Sequence, residues 1–96
     1  MGDTPVQEMP QDMNDKVCVI TGGAGSIGLA SARRMYDAGA KIMLVDLSAE
    51  NLATVANSFD DPDRVAICQA DVSDTAQTQT YVAKTVEKWG KIDVLF

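Results

Sequence analysis

The sequence predicts an α/β fold of three layers, in which a doubly wound parallel sheet carries helices on both faces. Three observations predict it. Apolar runs without polar alternation recur at Val17-Cys18-Val19-Ile20, at Ile42-Met43-Leu44-Val45 and within Arg64 to Ala70. Such runs suit parallel strands, which are buried on both faces. Helical segments of about ten to fifteen residues separate the runs, a rhythm that calls for right-handed crossovers. A glycine-rich stretch, Thr21 to Gly28, joins the first run to the first helical segment.

Each element follows from local chemistry. Residues 1–15, MGDTPVQEMPQDMND, read as a disordered polar leader without the apolar stretch of a secretory signal. The first strand begins after Lys16. The first helix sets Ile27, Ala30, Ser31, Met35 and Ala38 on one face, and Gly39 stands where a left-handed cap is wanted. The second strand runs from Lys41 to Val45 and ends at Asp46. Ser48 is an N-cap for a helix from Ala49 to about Ser58, and Asp60-Asp61-Pro62-Asp63 is a turn cluster. After the third strand, a helix from about Thr75 to Trp89 presents Val82, Val86 and Trp89 at i, i+4, i+7 spacing. Gly90 stops it, and Ile92 to Phe96 opens a fourth strand.

The strand order that follows is 3-2-1-4, the first half of a doubly wound sheet, with the first two helices on one face and the third on the other. Residues 16–96 are therefore expected to form the N-terminal part of a doubly wound domain, in truncated form. One face would carry a single helix and strand four would be an open edge, so the segment is not expected to fold alone.

Composition narrows the partners. A chain of 96 residues makes one domain at most. Its net charge of −6 argues against nucleic acid or an anionic membrane surface. No apolar run approaches the ~20 residues needed to span a bilayer, and a cytoplasmic location is expected. The sequence has no histidine and only two cysteines, Cys18 and Cys68, so no metal site is expected. In the order 3-2-1-4 their strands stand about 9–10 Å apart, at ~4.8 Å per strand step. That exceeds the roughly 7 Å a disulfide tolerates, and both are expected as buried free thiols.

The stretch Thr21-Gly22-Gly23-Ala24-Gly25-Ser26-Ile27-Gly28 carries the chemistry. A dinucleotide pyrophosphate needs a tight turn, close backbone approach and exposed N–H groups at a helix N-terminus. Gly22, Gly25 and Gly28 supply the turn, the approach and the packing of helix on strand. Ser26 adds a hydroxyl donor, and Ile27 lies between it and Gly28 in the same opening turn. Glycine-rich turns also serve ordinary strand–helix connections; here the loop follows a strand, opens a helix and has an acid at the end of the next strand.

That acid is Asp46, placed where a ribose 2′-hydroxyl would arrive. A carboxylate there accepts hydrogen bonds from NAD. It repels the 2′-phosphate of NADP by about 4 kcal/mol per charge pair at ~4 Å and an effective dielectric of ~20. Leu47 beside it offers no compensating cation, and Arg33, Arg34 and Lys41 fall elsewhere. NAD is the expected cofactor; the competing reading is an aspartate that merely ends a strand or caps a helix. Asp71 ends the third strand on the same edge of the sheet, where the competing reading is a turn-forming side chain.

Taken together, TGGAGSIG, Val45-Asp46-Leu47, Ala70-Asp71-Val72 and the run from Trp89 to Leu95 resemble the short-chain dehydrogenase/reductase family, over Lys16 to Phe96. The resemblance implies a Rossmann fold in which Asp71 contacts the adenine amino group and Val72 offers its backbone N–H to the adenine ring. It also implies a homo-oligomer and hydride transfer between nicotinamide and an alcohol or ketone. One position departs. The compact members carry TGxxxGxG, whereas Ser26 here follows Gly25, a spacing similar to the extended members that act on nucleotide sugars as epimerases or dehydratases. The family's catalytic Ser and Tyr-x-x-x-Lys have no counterpart in residues 1–96, so no catalytic residue is assigned. Tyr81 and Lys84 are three apart and are expected to be ordinary helix-surface residues. The leading expectation is the cofactor-binding half of an NAD-dependent oxidoreductase, completed by the remainder of the domain or a complementing chain. The alternatives are an epimerase or dehydratase and a non-catalytic NAD-binding module.

Overall fold

The structure, a computed structural model, describes residues 13–96. Strand β1 (Val17–Thr21) leads to helix α1 (Ser26–Asp37), β2 (Lys41–Asp46), α2 (Ala49–Ala56), a short 3₁₀ turn (Pro62–Arg64), β3 (Val65–Gln69), α3 (Thr75–Trp89) and β4 (Val94–Leu95). The strands form one sheet in the order β3-β2-β1-β4, and every pairing is parallel. The doubly wound order expected from the strand and helix rhythm is therefore the one observed.

Register decides which side chains meet which helices. Val17 pairs with Lys41 and Ile42 with Val65, so alternate residues of the three strands line up across the sheet. Cys18, Ile20, Ile42 and Leu44 point to the face covered by α1 and α2, where they pack with Ala32, Met35, Tyr36 and Leu52. Val19, Met43, Val45 and Cys68 point to the opposite face, against Tyr81 of α3. The two cysteines are thus not merely separated by β2; they lie on opposite faces of the sheet, and both are buried and unbridged. Burial, with the Asp93 carboxylate nearby, pushes the Cys18 thiol up to about 11, which leaves it protonated and unreactive at neutral pH.

Two helices are rotated from the expected faces. Helix α1 buries Gly28, Ala32, Met35 and Tyr36, while Ile27 is 78% exposed and Ala30 is exposed. The rotation is set by Gly28, which lies so close to the Gly22 carbonyl that no other residue can face the loop there. Helix α3 buries Tyr81 and Thr85, with Val82 and Trp89 only partly covered and Val86 43% exposed. Tyr81 is accordingly a core residue and not a helix-surface one. The buried face is thus centred one residue before the Val82, Val86 and Trp89 stripe. The Thr85 hydroxyl is satisfied within the helix, donating to the Tyr81 carbonyl at 2.7 Å, so a polar residue can sit on the buried side.

The ends of the elements follow the expected chemistry closely. Gly39 has φ 108°, its N–H donates to the Tyr36 carbonyl at 2.9 Å, and Ala40 donates to Met35 at 3.0 Å. This pair of bonds is a Schellman motif, which requires a left-handed residue at Gly39. The Ser48 hydroxyl accepts from Asn51 N–H at 3.1 Å as the N-cap of α2, which ends two residues short of Ser58. Gly90 closes α3 with φ 84°. The turn cluster at 60–63 becomes the 3₁₀ turn, with the Asp61 side chain accepting from Asp63 N–H.

Packing begins earlier than Lys16. Met13 is buried and its N–H donates to the Ala38 carbonyl at 2.7 Å, so residues 13–15 belong to the folded unit and not to the leader. The rest of the leader, residues 1–12, lies outside the described residues. Among the described residues no helix is long and apolar enough to cross a membrane.

Strand β4 is held at its start by a side chain. Asp93 donates its N–H to the Val17 carbonyl at 2.8 Å. Its carboxylate accepts from Val17 N–H and from Lys91 Nζ, both at 2.9 Å. The Lys91 contact, followed by the Val17 bond, holds the Asp93 carboxyl below its ordinary value. A carboxyl whose pKa is lower in the folded state stabilises the fold above its unfolded value and loses that contribution as pH falls through the folded one. Urea midpoints measured from pH 6 down to pH 3 are therefore expected to drop more steeply for the wild type than for Asp93→Asn, with the difference vanishing at the acid end.

Candidate functional site

All three loops that leave the carboxyl ends of β1, β2 and β3 converge on one edge of the sheet. In open α/β sheets this edge is where ligands bind. The chain here forms a shallow cleft of about 150 Å³ lined by Gly22, Asp46, Leu47, Ala70, Asp71 and Val72. Drug-sized ligands fill pockets of roughly 300–1,000 Å³, so this cleft suits one ring system of a larger molecule.

The floor of the site is the loop from β1 to α1. Gly22 adopts φ 69°, a left-handed conformation that favours glycine, and the Gly23 N–H donates to Val45 at 3.0 Å, extending the β1–β2 ladder into the loop. A Cβ at Gly28 would overlap the Gly22 carbonyl, and one at Gly23 would press on Leu44 and the Ile20 carbonyl at 3.0–3.1 Å. Gly25 differs. It has φ −85°, and a Cβ there would meet only the Gly22 carbonyl at 3.4 Å, an ordinary contact. The protein itself makes no demand for glycine at position 25.

Helix α1 begins without compensation. Gly25 gives it no side-chain cap, and its first turn contains no acidic residue. Among the described residues, the N–H groups of Ser26, Ile27 and Gly28 have no acceptor; the first helical bond is Leu29 N–H to Gly25 at 2.8 Å. Three unpaired donors at the positive end of a helix form a cradle for an anion.

Asp46 ties the second strand to this loop. Its carboxylate accepts from Ala24 N–H at 3.0 Å through one oxygen and from Leu47 N–H at 2.7 Å through the other. Each oxygen keeps a further lone pair directed to the cleft or to water. The bond to Ala24 distinguishes it from an aspartate that merely ends a strand, because it fixes the separation of the two walls. The basic residues are engaged elsewhere. Arg33 donates to Ser58 and lies 4.1 Å over the Phe59 ring, and Lys41 pairs with Asp15 at the opposite end of β2.

The third wall is the turn after β3. Asp71 accepts from the Ser73 N–H at 2.9 Å and its hydroxyl at 2.6 Å, which holds its carboxyl below the ordinary value. The turn-forming role weighed for Asp71 is therefore present, and it occupies only one carboxylate oxygen. The Val72 N–H has no acceptor among the described residues.

Of the positions singled out in the sequence, Gly22, Asp46, Leu47, Asp71 and Val72 come together in the cleft, while Gly25, Ser26, Ile27 and Gly28 form the adjoining helix start. Ile27, Leu47 and Val72 are large apolar side chains 78%, 64% and 50% exposed, all on this edge. Four participants were not singled out: Gly23, Ala24, Gln69 and Gln77. Gln77 carried a signal, since Asp74-x-x-Gln77 has the spacing of a capping box, and its Nε2 donates to Asp74 at 3.2 Å. Ala24 acts through its backbone alone and left no trace in residue type. Among the described residues, no cluster of His, Cys, Asp or Glu is placed to hold a metal ion.

The two glycines of the helix start should respond to alanine to different degrees. Gly28→Ala is expected to destabilise the fold by about 1–3 kcal/mol through overpacking against Gly22. Gly25→Ala is expected to change stability by less than about 1 kcal/mol, because restriction of the unfolded chain offsets alanine's poorer performance at an N-cap. Chemical denaturation of the two variants checks both.

Comparison with known proteins places this geometry in context. The family model described as short chain dehydrogenase matches residues 16–96. Short-chain dehydrogenase reductase 5 of Arabidopsis thaliana is 42% identical over 86 residues, covering 90% of this chain and 33% of that protein. A crystal structure of a short-chain dehydrogenase/reductase, glucose/ribitol dehydrogenase, from Brucella melitensis superposes with a TM-score of 0.87 at 36% identity, covering 91% of this chain and 37% of that one. The C-domain of a bacterial malonyl-CoA reductase, solved with NADP, superposes with a TM-score of 0.80 at 31% identity, over 85% of this chain and 14% of that one. The chain spans about a third of the length of the curated relatives it matches. It belongs to the short-chain dehydrogenase family, whose members are oxidoreductases that bind a nicotinamide cofactor.

Proposed function

We propose that this chain is the cofactor-binding half of an NAD-dependent oxidoreductase that moves hydride between nicotinamide and an alcohol or ketone. The observation that carries the choice of NAD is the Asp46 carboxylate, fixed at the carboxyl end of β2 by Ala24 and Leu47 and paired with no cation among the described residues. In this reading the N–H groups of Ser26, Ile27 and Gly28 and the Ser26 hydroxyl hold the pyrophosphate. Gly25 gives that group the approach which nothing in the protein itself requires. Asp46 accepts from the ribose hydroxyls, and Leu47, Asp71 and Val72 receive the adenine ring. The nicotinamide supplies the hydride acceptor or donor. The residues described here bind and orient the cofactor, and the proton-transfer groups belong to the remainder of the domain or to a complementing chain.

An epimerase or dehydratase of the extended type rested on the Gly25-Ser26 spacing alone, and the match to the short-chain model over 16–96 favours the simpler dehydrogenase or reductase. The resemblance further implies a homo-oligomer, which we adopt as part of the same reading together with the cytoplasmic location expected from the sequence.

The test is a pair of dissociation constants. The wild-type protein is expected to bind NAD at least about ten-fold more tightly than NADP, a fraction of the unscreened repulsion because Asp46 is only half-buried. Asp46→Asn is expected to narrow that ratio. Equal affinity of the wild type for the two cofactors would sink the NAD assignment.

A further inference from the structure

The two apolar walls of the cleft, Leu47 and Val72, stand largely exposed on loops, yet each loop is pinned by one glutamine. The Gln69 side chain, on the last residue of β3, donates through Nε2 to the Leu47 carbonyl at 2.9 Å. This bond lies one step beyond the end of the β2–β3 ladder, whose last backbone bond is Ala70 N–H to the Asp46 carbonyl at 2.9 Å. With Leu47 N–H already held by Asp46, both peptide groups of Leu47 are engaged.

Gln77, on the first turn of α3, accepts the Asp71 N–H through Oε1 at 2.6 Å and donates through Nε2 to Asp74 at 3.2 Å. The Asp71 carbonyl is engaged as well, by Asp74 N–H at 3.0 Å. Every backbone polar group of Asp71 is therefore used inside the turn, while the next donor along the chain, Val72 N–H, has no acceptor among the described residues. Without Gln77 the Asp71 N–H would lose its acceptor, and the turn before Val72 would be held only by the bonds of Asp71 to Ser73 and Asp74.

We propose that Gln69 and Gln77 are positioning residues that hold the Leu47 and Val72 walls in their binding geometry before the ligand arrives. The proposal rests on the cofactor reading given above. Pre-ordered loops spare the ligand the entropy of fixing them, so the gain appears as affinity for whatever fills the cleft. Both glutamines act through other groups and neither lines the cleft.

The test separates the two halves of the cofactor. Dissociation constants for NAD, for AMP and for nicotinamide mononucleotide are measured on the wild-type protein, on Gln69→Leu and on Gln77→Leu, together with thermal midpoints. Each variant is expected to weaken NAD and AMP by about ten-fold, the scale of one lost hydrogen bond, with nicotinamide mononucleotide unchanged within two-fold. A general loss of structure would instead weaken all three ligands and lower the midpoint. Gln69 is exposed, so Gln69→Leu remains informative even where Gln77→Leu folds poorly. AMP affinity in Gln69→Leu within two-fold of wild type overturns the proposal while leaving the cofactor reading intact. Failure of the wild type to bind NAD or AMP while it shows a cooperative thermal transition overturns both.

Discussion

The contact between Gly28 and the Gly22 carbonyl is the constraint on which the functional edge depends. It brings the start of α1 down onto the loop from β1, and only a residue without a Cβ permits that approach. The rotation of α1 follows from it, putting Ala32, Met35 and Tyr36 on the sheet and leaving Ile27 outside. The same contact directs the unpaired N–H groups of the first turn toward the edge where the strands end. A local steric condition thus fixes both a core face and a ring of donors.

The rest of the edge is built from bonds that cross between loops. Asp46 reaches back to Ala24, Gln69 to Leu47 and Gln77 to Asp71, so that each loop is tied to a neighbouring element and not only to itself. Parallel strands make this possible, because every strand leaves the sheet on the same side and its loop meets the next one. The apolar side chains exposed on this edge, Ile27, Leu47 and Val72, stand beside the unpaired N–H groups of the α1 start and of Val72 itself. An apolar surface framed by fixed donors and acceptors is suited to a ligand with a flat ring and a charged linker.

The far end of the sheet is organised differently and serves stability. Arg64 lies 3.9 Å over the Tyr36 ring and donates to the Tyr36 and Ala40 carbonyls at 3.1 Å, closing the C-terminal end of α1. Tyr36 meets Phe59 edge to face at 4.8 Å, and its hydroxyl accepts from Asp61 N–H. This stack joins α1 to the α2–β3 connection, so the end away from the cleft is held by aromatic and cationic packing while the cleft edge is held by hydrogen bonds. Cys18 and Cys68 take no part in either; they are small buried side chains on opposite faces.

What the sequence determined by itself was everything with a local cause. Apolar runs made the strands, Ser48, Gly39 and Gly90 set helix ends, and Gly22 and Gly28 shaped the turn from β1 into α1, because each depends on a residue type within one or two turns of chain. The strand order followed from the rhythm of connections. Tertiary structure alone decided the rest. It chose which face of α1 and of α3 is buried, turning Tyr81 inward, since a helix rotates to satisfy its tightest contact and not its aliphatic count. It brought Ala24 to Asp46 and Gln69 to Leu47, behind the walls of the cleft, since a backbone N–H or an amide at the end of a strand acquires its partner only when a distant loop is folded beside it.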